Sequence, residues 1–313
     1  MLFTPTKVAF GRHETFALRY SWLTKGFEAV AKDPSIFTSD EATVTLGVGK
    51  NMVNAIRYWL QATGLVEPAD TGFQGTALGK SIFGQEGFDR YLEDEATIWL
   101  IHWQIASNPA LATSWYWFFN RFHKPEFTSE EASTALLDFS KQNIPGKFSP
   151  STVRKDISVL LRMYARSERN TRLPLEETLD SPLSLLGLIT RAPAGRTYSS
   201  RAVERTGLPI GILGFAVARL FREGKPGQAP VFQLPIDELM YARGNACAPG
   251  AVFRLTENAM MSQLEDLIHK MPGIFEIRET AGIHQLYLMG EKPIEPTQFL
   301  EFHYQGGSRE DAA

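Results

Sequence analysis

Residues 39 to 66, SDEATVTLGVGKNMVNAIRYWLQATGLV, restrict the fold more than any other stretch of the chain. Ser39 or Asp40 can cap a short helix, because a small polar side chain accepts from the open first-turn amides and acidic residues suit the positive helix end. Gly47-Val48-Gly49 then breaks the chain. From about Lys50 to Thr63, the residues Val53, Ile56, Tyr58, Trp59 and Leu60 form one apolar face, and Gly64 can take the left-handed conformation that stops a helix. Short helix, glycine turn, longer helix and a following hairpin is the order of a winged helix-turn-helix.

The glycine-flanked lysine also invites comparison with a phosphate loop. That loop needs a preceding buried strand, a glycine five residues before Gly49, and a hydroxyl after the lysine. Here the preceding segment is polar, Val44 holds the first glycine position, and Asn51 follows Lys50. The helix-turn-helix reading fits better. It places Lys50, Asn51, Asn54 and Arg57 on the polar side of the second helix, where cations meet phosphates and asparagine pairs with an adenine edge. The segment TALGKSIFG is the expected wing, with Lys80 near its tip. Packing or protein association without DNA is the alternative use of the same elements.

Elsewhere, residues 12 to 31 predict an amphipathic helix through Phe16, Tyr20, Leu23, Phe27 and Val30. Helices follow at about 93–106, 109–122 and 128–142, the last capped by Thr128 or Ser129 with Glu131 behind it. Another helix begins near Pro150 and turns Val153, Ile157, Leu160, Leu161 and Tyr164 inward. Residues 167 to 182 read as a polar linker. In the C-terminal third, YSSRAVERTGL and IGILGFAVARLFREG repeat the short-helix, turn, longer-helix pattern. A helix at about 256–270 precedes a hairpin around Thr280-Ala281-Gly282, and the tail from Gly306 reads as disordered.

The net charge of −3 means that nucleic-acid contact must come from local patches. One patch spans residues 147–172, where Lys147, Arg154, Lys155, Arg162, Arg166, Arg169 and Arg172 face only Asp156 and Glu168. A solvated helix face or a surface for an acidic partner competes with phosphate binding there. In the second helix-turn-helix candidate the cations are Arg196, Arg201, Arg205 and Arg219, but its apolar, glycine-rich second helix suits burial or oligomerisation better than base reading. The aromatic residues Trp99, Trp103, Trp115, Tyr116, Trp117, Phe118, Phe119 and Phe122 suit a core better than a stacking platform for single strands. The six histidines lack paired metal spacing. His13-Glu14 and Glu93-Asp94-Glu95 are weak acid/base or metal candidates. Cys247 is the lone cysteine, so neither an internal disulfide nor a cysteine-rich zinc site can form. No apolar run approaches the roughly 18 residues of a membrane span, and no secretory signal is apparent, which points to a cytoplasmic protein.

Four stretches carry a family resemblance: RHETFALRYSWLTKGFEAV, LGVGKNMVNAIRYWLQATGL, ALGKSIFG and YLEDEATIWLIHWQIASNPALATSWYWFFN. Together they resemble a bacterial family catalogued as domain of unknown function four thousand and seven. The resemblance implies no catalytic residues. It implies a genomic setting of DNA phosphorothioate modification and phage defence, beside enzymes of sulfur transfer.

The sequence thus predicts a mainly α (α+β) protein. Residues 1–125 would hold a winged helix-turn-helix with aromatic-rich helices, 126–182 a basic helical segment and linker, 183–305 a second winged-helix-like domain, and 306–313 a tail. The expected function is non-catalytic binding of double-stranded DNA within such a modification or defence system, without cofactor or metal. Lys50, Asn51, Asn54, Arg57, Lys80, Arg154, Lys155 and Arg162 are the DNA-binding candidates. Sulfur-transfer or other modification enzymes and a second copy of the chain are further candidate partners; a membrane is not. The rival readings are a transcriptional regulator of such a locus and a protein-interaction scaffold.

Overall fold

The computed structural model describes residues 2–146, 148–166, 181–192, 195–222, 231–280, 282–290 and 293–306. Lys147, Glu168, Arg169, Arg172, most of the expected linker and nearly all of the tail lie outside the described residues. The chain is mixed α/β, rich in helix, with small antiparallel sheets. It divides into a larger unit, Phe3–Arg201, and a smaller one from Ala202 onward.

The larger unit opens with α1 (Tyr20–Lys32), a 310 turn (Ile36–Thr38), α2 (Ala42–Leu46) and α3 (Lys50–Ala62). Helix α1 starts eight residues later than its periodicity suggests, because the chain before it is bent. Glu14 and Thr15 take left-handed φ values of 49° and 66°, which no helix accommodates. All five predicted apolar residues of α3 are buried. Gly64 (φ 66°) ends the helix as expected: Leu65 N–H reaches Leu60 O at 3.0 Å, and Gly64 N–H reaches Gln61 O at 3.0 Å.

The hairpin that follows is β1 (Val66–Ala69) with β2 (Gly72–Gly75), in register Val66↔Gly75 through Ala69↔Gly72. The segment read as a wing is instead helix α4 (Ala77–Phe83). Thr76 caps it, its Oγ1 accepting from Gly79 N–H at 3.0 Å. Gly79 is glycine for contact: a Cβ there would lie 2.1 Å from Leu65 O. Lys80 therefore stands on a helix and at no hairpin tip.

Next come α5 (Glu95–Ala106), α6 (Thr113–Arg121), β3 (Glu126–Thr128), α7 (Ser129–Asn143) and α8 (Pro150–Tyr164). A second 310 turn (Pro182–Leu186) then leads to β4 (Thr190–Arg191) and β5 (Thr197–Ser199). Thr128 and Glu131 form a reciprocal capping box at the head of α7. The eight clustered aromatics from Trp99 to Phe122 are all buried. Their ring faces are occupied by one another and by Phe127, His102 and Tyr164, so none is open to a nucleobase. The sheet order is β3-β5-β4, with Phe127 opposite Tyr198 and Tyr198 opposite Arg191. Strands β4 and β5 therefore complete a sheet begun at residue 126 and belong to the larger unit, although the sequence reading starts the C-terminal domain at 183.

The smaller unit contains α9 (Ile210–Arg222), β6 (Gln233–Pro235), α10 (Ile236–Met240) and α11 (Pro249–Phe253). It continues with α12 (Glu257–Lys270), β7 (Phe275–Thr280), β8 (Ile283–Leu288) and α13 (Thr297–Gly306), its sheet running β6-β8-β7. The short helix expected within YSSRAVERTGL is not formed. Val203 N–H bonds Arg254 O at 2.9 Å in a parallel bridge, and Pro209 disfavours helix at Leu208. Helix α9 is glycine-rich because α13 lies against it: a Cβ at Gly214 would fall 2.3 Å from Phe299 Cδ1. Its apolar face is buried within the unit.

Candidate nucleic-acid interface

Helix α2 ends at Gly47, whose φ of 65° lets Val48 N–H return to Thr43 O at 3.2 Å. Gly49 then takes extended backbone and α3 starts at Lys50. A helix stands before this turn where a phosphate loop requires a strand, so that alternative is ruled out. Cβ atoms at Gly47 and Gly49 would meet nothing within 4 Å, so the turn and the amide end of α3 are open. Lys50 and Asn51 are exposed there, and Asn54 and Arg57 are half-buried one and two turns on.

Helix α8 presents a second set. Ser151, Arg154, Lys155, Ser158 and Arg162 are exposed, as is Arg166 just beyond the helix, whereas Val153, Ile157, Leu160, Leu161 and Tyr164 are buried as the spacing predicts. Its one carboxylate, Asp156, is turned inward and does not neutralise this face. Asp156 Oδ1 accepts from Gly11 N–H at 2.8 Å and from His13 Nε2 at 3.0 Å, and Oδ2 accepts from Ser114 Oγ at 2.6 Å. His13 Nδ1 accepts from Thr15 N–H at 3.1 Å, which places the ring proton on Nε2. The bent segment before α1 is therefore fastened to α8. It is fastened to α3 as well: His13 lies parallel to the Trp59 ring, with centroids 6.1 Å apart, and Trp59 Nε1 donates to Phe16 O at 3.2 Å. No local signal at His13 announces this role, since its partner is 143 residues away.

Arg162 is partly committed, because its Nη2 donates to Thr15 O at 2.6 Å. It fixes the bent segment as much as it offers charge. Among the described residues, no carboxylate lies within ion-pairing distance of Lys50, Arg57, Lys80, Arg154, Lys155 or Arg162. Six other surface cations are paired: Arg90 with Glu28, Lys124 with Glu131, Arg201 with Glu126, Arg222 with Glu295, Arg243 with Asp237 and Arg278 with Glu276, whereas Lys7, Arg12, Lys25 and Lys32 are exposed without a carboxylate partner among the described residues.

The smaller unit differs in charge. Its helix α12 exposes Glu257, Glu265 and Asp266. Arg205 is half-buried near Arg254, whose guanidinium is pushed down to about 10 by burial and by the like charge of Arg205. Arg219 lies over the Phe215 ring at 5.9 Å. Arg196 and Arg201 belong to the larger unit, where Arg201 pairs with Glu126, so the cations of the second helix-turn-helix candidate do not belong to one motif. Among the described residues, no group of three or more His, Cys, Asp or Glu converges to hold a metal ion, and no helix is long and apolar enough to cross a membrane. His13 and Glu93–Glu95 join no such group. Buried Asp89 accepts from Glu93 N–H at 2.7 Å and Asp94 N–H at 3.1 Å, and Asp94 caps α5 through Ala96 N–H at 2.8 Å.

These features define a mixed α/β protein with two cation-bearing helices in one unit. The chain belongs to the DUF4007 family, described as a protein of unknown function, whose family model matches residues 10–304. Two solved structures resemble it, both crystal structures of SspB and each 25% identical. The one described as magnesium ion-bound has a TM-score of 0.84, and the other 0.83. In both cases the match covers 99% of this chain and 91% of the other. A search of curated proteins finds no match.

Proposed function

We propose that the chain is a duplex-DNA-binding component of a bacterial DNA modification or phage-defence system. The supporting observation is the charge pattern of the larger unit. Lys50, Arg57, Arg154 and Lys155 have no described carboxylate partner, on helices that the His13 segment ties together. Isolated surface cations suit phosphates, whereas paired ones are already neutralised. Helices α1, α2 and α3 with the β1–β2 hairpin follow the winged helix-turn-helix order, with α3 as the reading helix. Asn51 and Asn54 then supply amides for base edges, and Lys80 on α4 adds a flanking charge. The phosphorothioate setting comes from the family resemblance of the sequence alone.

The test is fluorescence anisotropy of a labelled duplex titrated with salt, for the wild type and the Lys50→Ala/Arg57→Ala double variant. Each phosphate left without its cation should flatten the slope of log K against log salt by about 0.9. A wild type that does not bind at low salt, or a variant with the wild-type slope and affinity, overturns the assignment of α3.

A further inference from the structure

The order of elements from α6 to β5 is found again in the smaller unit with one short helix added. In the larger unit the order is helix α6, strand β3, helices α7 and α8, then strands β4 and β5. In the smaller unit it is helix α9, strand β6, helices α10, α11 and α12, then strands β7 and β8. Both sheets place the last strand in the middle: β3-β5-β4 and β6-β8-β7. This is the winged-helix order, in which the third helix enters a groove and the terminal hairpin is the wing. In the larger unit α6, α7 and α8 pack on one another, and the 310 turn beside α8 leads the chain into β4.

We propose that α6, β3, α7, α8, β4 and β5 form a second duplex-DNA-binding winged helix, with α8 as its groove helix and the strands β4 and β5, through Arg191 and Arg196, as its phosphate-contacting wing. The inference rests on the duplex-binding reading and adds a site to it. Arg191 on β4 and Arg196 immediately before β5 are exposed. Arg191 reaches only Gly195 O, at 3.4 Å, and neither arginine has a carboxylate partner among the described residues. The first hairpin offers phosphate nothing comparable: β1, β2 and their turn carry Glu67 and Asp70 and no cation. In the smaller unit, the helix in the equivalent position, α12, is acidic on its exposed side. Of the two repeats, the one in the larger unit alone combines a basic third helix with a basic hairpin.

The experiment compares salt slopes of duplex binding for the wild type, Arg191→Ala/Arg196→Ala and Arg191→Lys/Arg196→Lys. The alanine pair should flatten the slope by about 1 to 2, one step of roughly 0.9 for each phosphate no longer neutralised, and the lysine pair should restore most of it. Both sites are exposed, so circular dichroism should match the wild type in each. A wild type that binds steeply with salt while the alanine pair keeps its slope overturns the wing and leaves the α3 reading standing. A wild type that binds no duplex at low salt overturns both.

Discussion

His13 and Asp156 meet across 143 residues of chain, Nε2 to Oδ1 at 3.0 Å, with both side chains buried. Asp156 has three donors and His13 has both ring nitrogens engaged, so neither leaves a group for chemistry. Ser114 bonds the aspartate and not the histidine, which separates this arrangement from a nucleophilic triad. The pairing joins three elements: the bent segment before α1, helix α8, and α3 through Trp59. Removing one partner strands a buried polar or charged group, at a cost of about 3–5 kcal/mol. His13→Ala and Asp156→Ala should each lower the urea midpoint of the larger unit by that measure, and the double variant should cost less than the sum. All six tryptophans lie in this unit, so their fluorescence reports its unfolding. Additive losses would show that the two residues act independently.

Alkaline pH should weaken the same core. Tyr58 is held well above its usual pKa, first by burial and then by the nearby Asp156 charge, and its hydroxyl donates to Leu111 O at 2.9 Å. Tyr164 is raised in the same direction by burial. A raised folded-state pKa means the folded protein retains a proton that the unfolded chain releases. Stability is then fully present below the unfolded value near 10 and falls as pH rises beyond it. Tyr58→Phe should cost about 1 kcal/mol at neutral pH and make the decline above pH 10 shallower. A decline of equal steepness in both proteins would remove Tyr58 as its source.

The legible parts of the fold are those whose signals are local. The apolar face of α3, the stop at Gly64 and the capping box at Thr128 each depend on neighbours within a few residues. Strands β4 and β5 are two and three residues long and pair within a sheet begun some 70 positions earlier, so no periodicity marks them. Lys80 reads as a wing residue because the glycines around it look like turn residues. Gly79 is instead required by Leu65 O, a close approach invisible before folding. Of the candidate site, the cations of α3 and α8 are readable, but their lack of acidic neighbours in space and the inward turn of Asp156 are facts of tertiary structure.

Helix α9 tests the burial reading of the apolar C-terminal segment. An added methyl at Gly214 meets the Phe299 ring at 2.3 Å, and one at Gly211 meets Phe299 O at 2.5 Å. Gly214→Ala should destabilise the smaller unit by about 1–3 kcal/mol, because overpacking forces helices apart. The tryptophans should be indifferent, since none lies in this unit, while a calorimetric scan should show the smaller unit melting earlier. A variant of wild-type stability would mean that α9 and α13 separate at little cost.

Pairing decides which surface cations are free to hold phosphate. Arg154 and Lys155 pair with no described carboxylate, whereas Arg90 donates to Glu28 at 2.7 Å and Arg278 to Glu276 at 2.7 Å. A paired cation attracts phosphate weakly, because its own carboxylate repels the same phosphate at nearly the same distance. Arg154→Ala/Lys155→Ala should therefore flatten the salt slope of duplex binding by about 1 to 2 and weaken binding most at low salt. Arg90→Ala/Arg278→Ala removes the same formal charge and should leave the slope unchanged. Equal flattening by the two pairs would mean that net charge alone drives association, and that α8 is no more a DNA-facing element than any other basic surface.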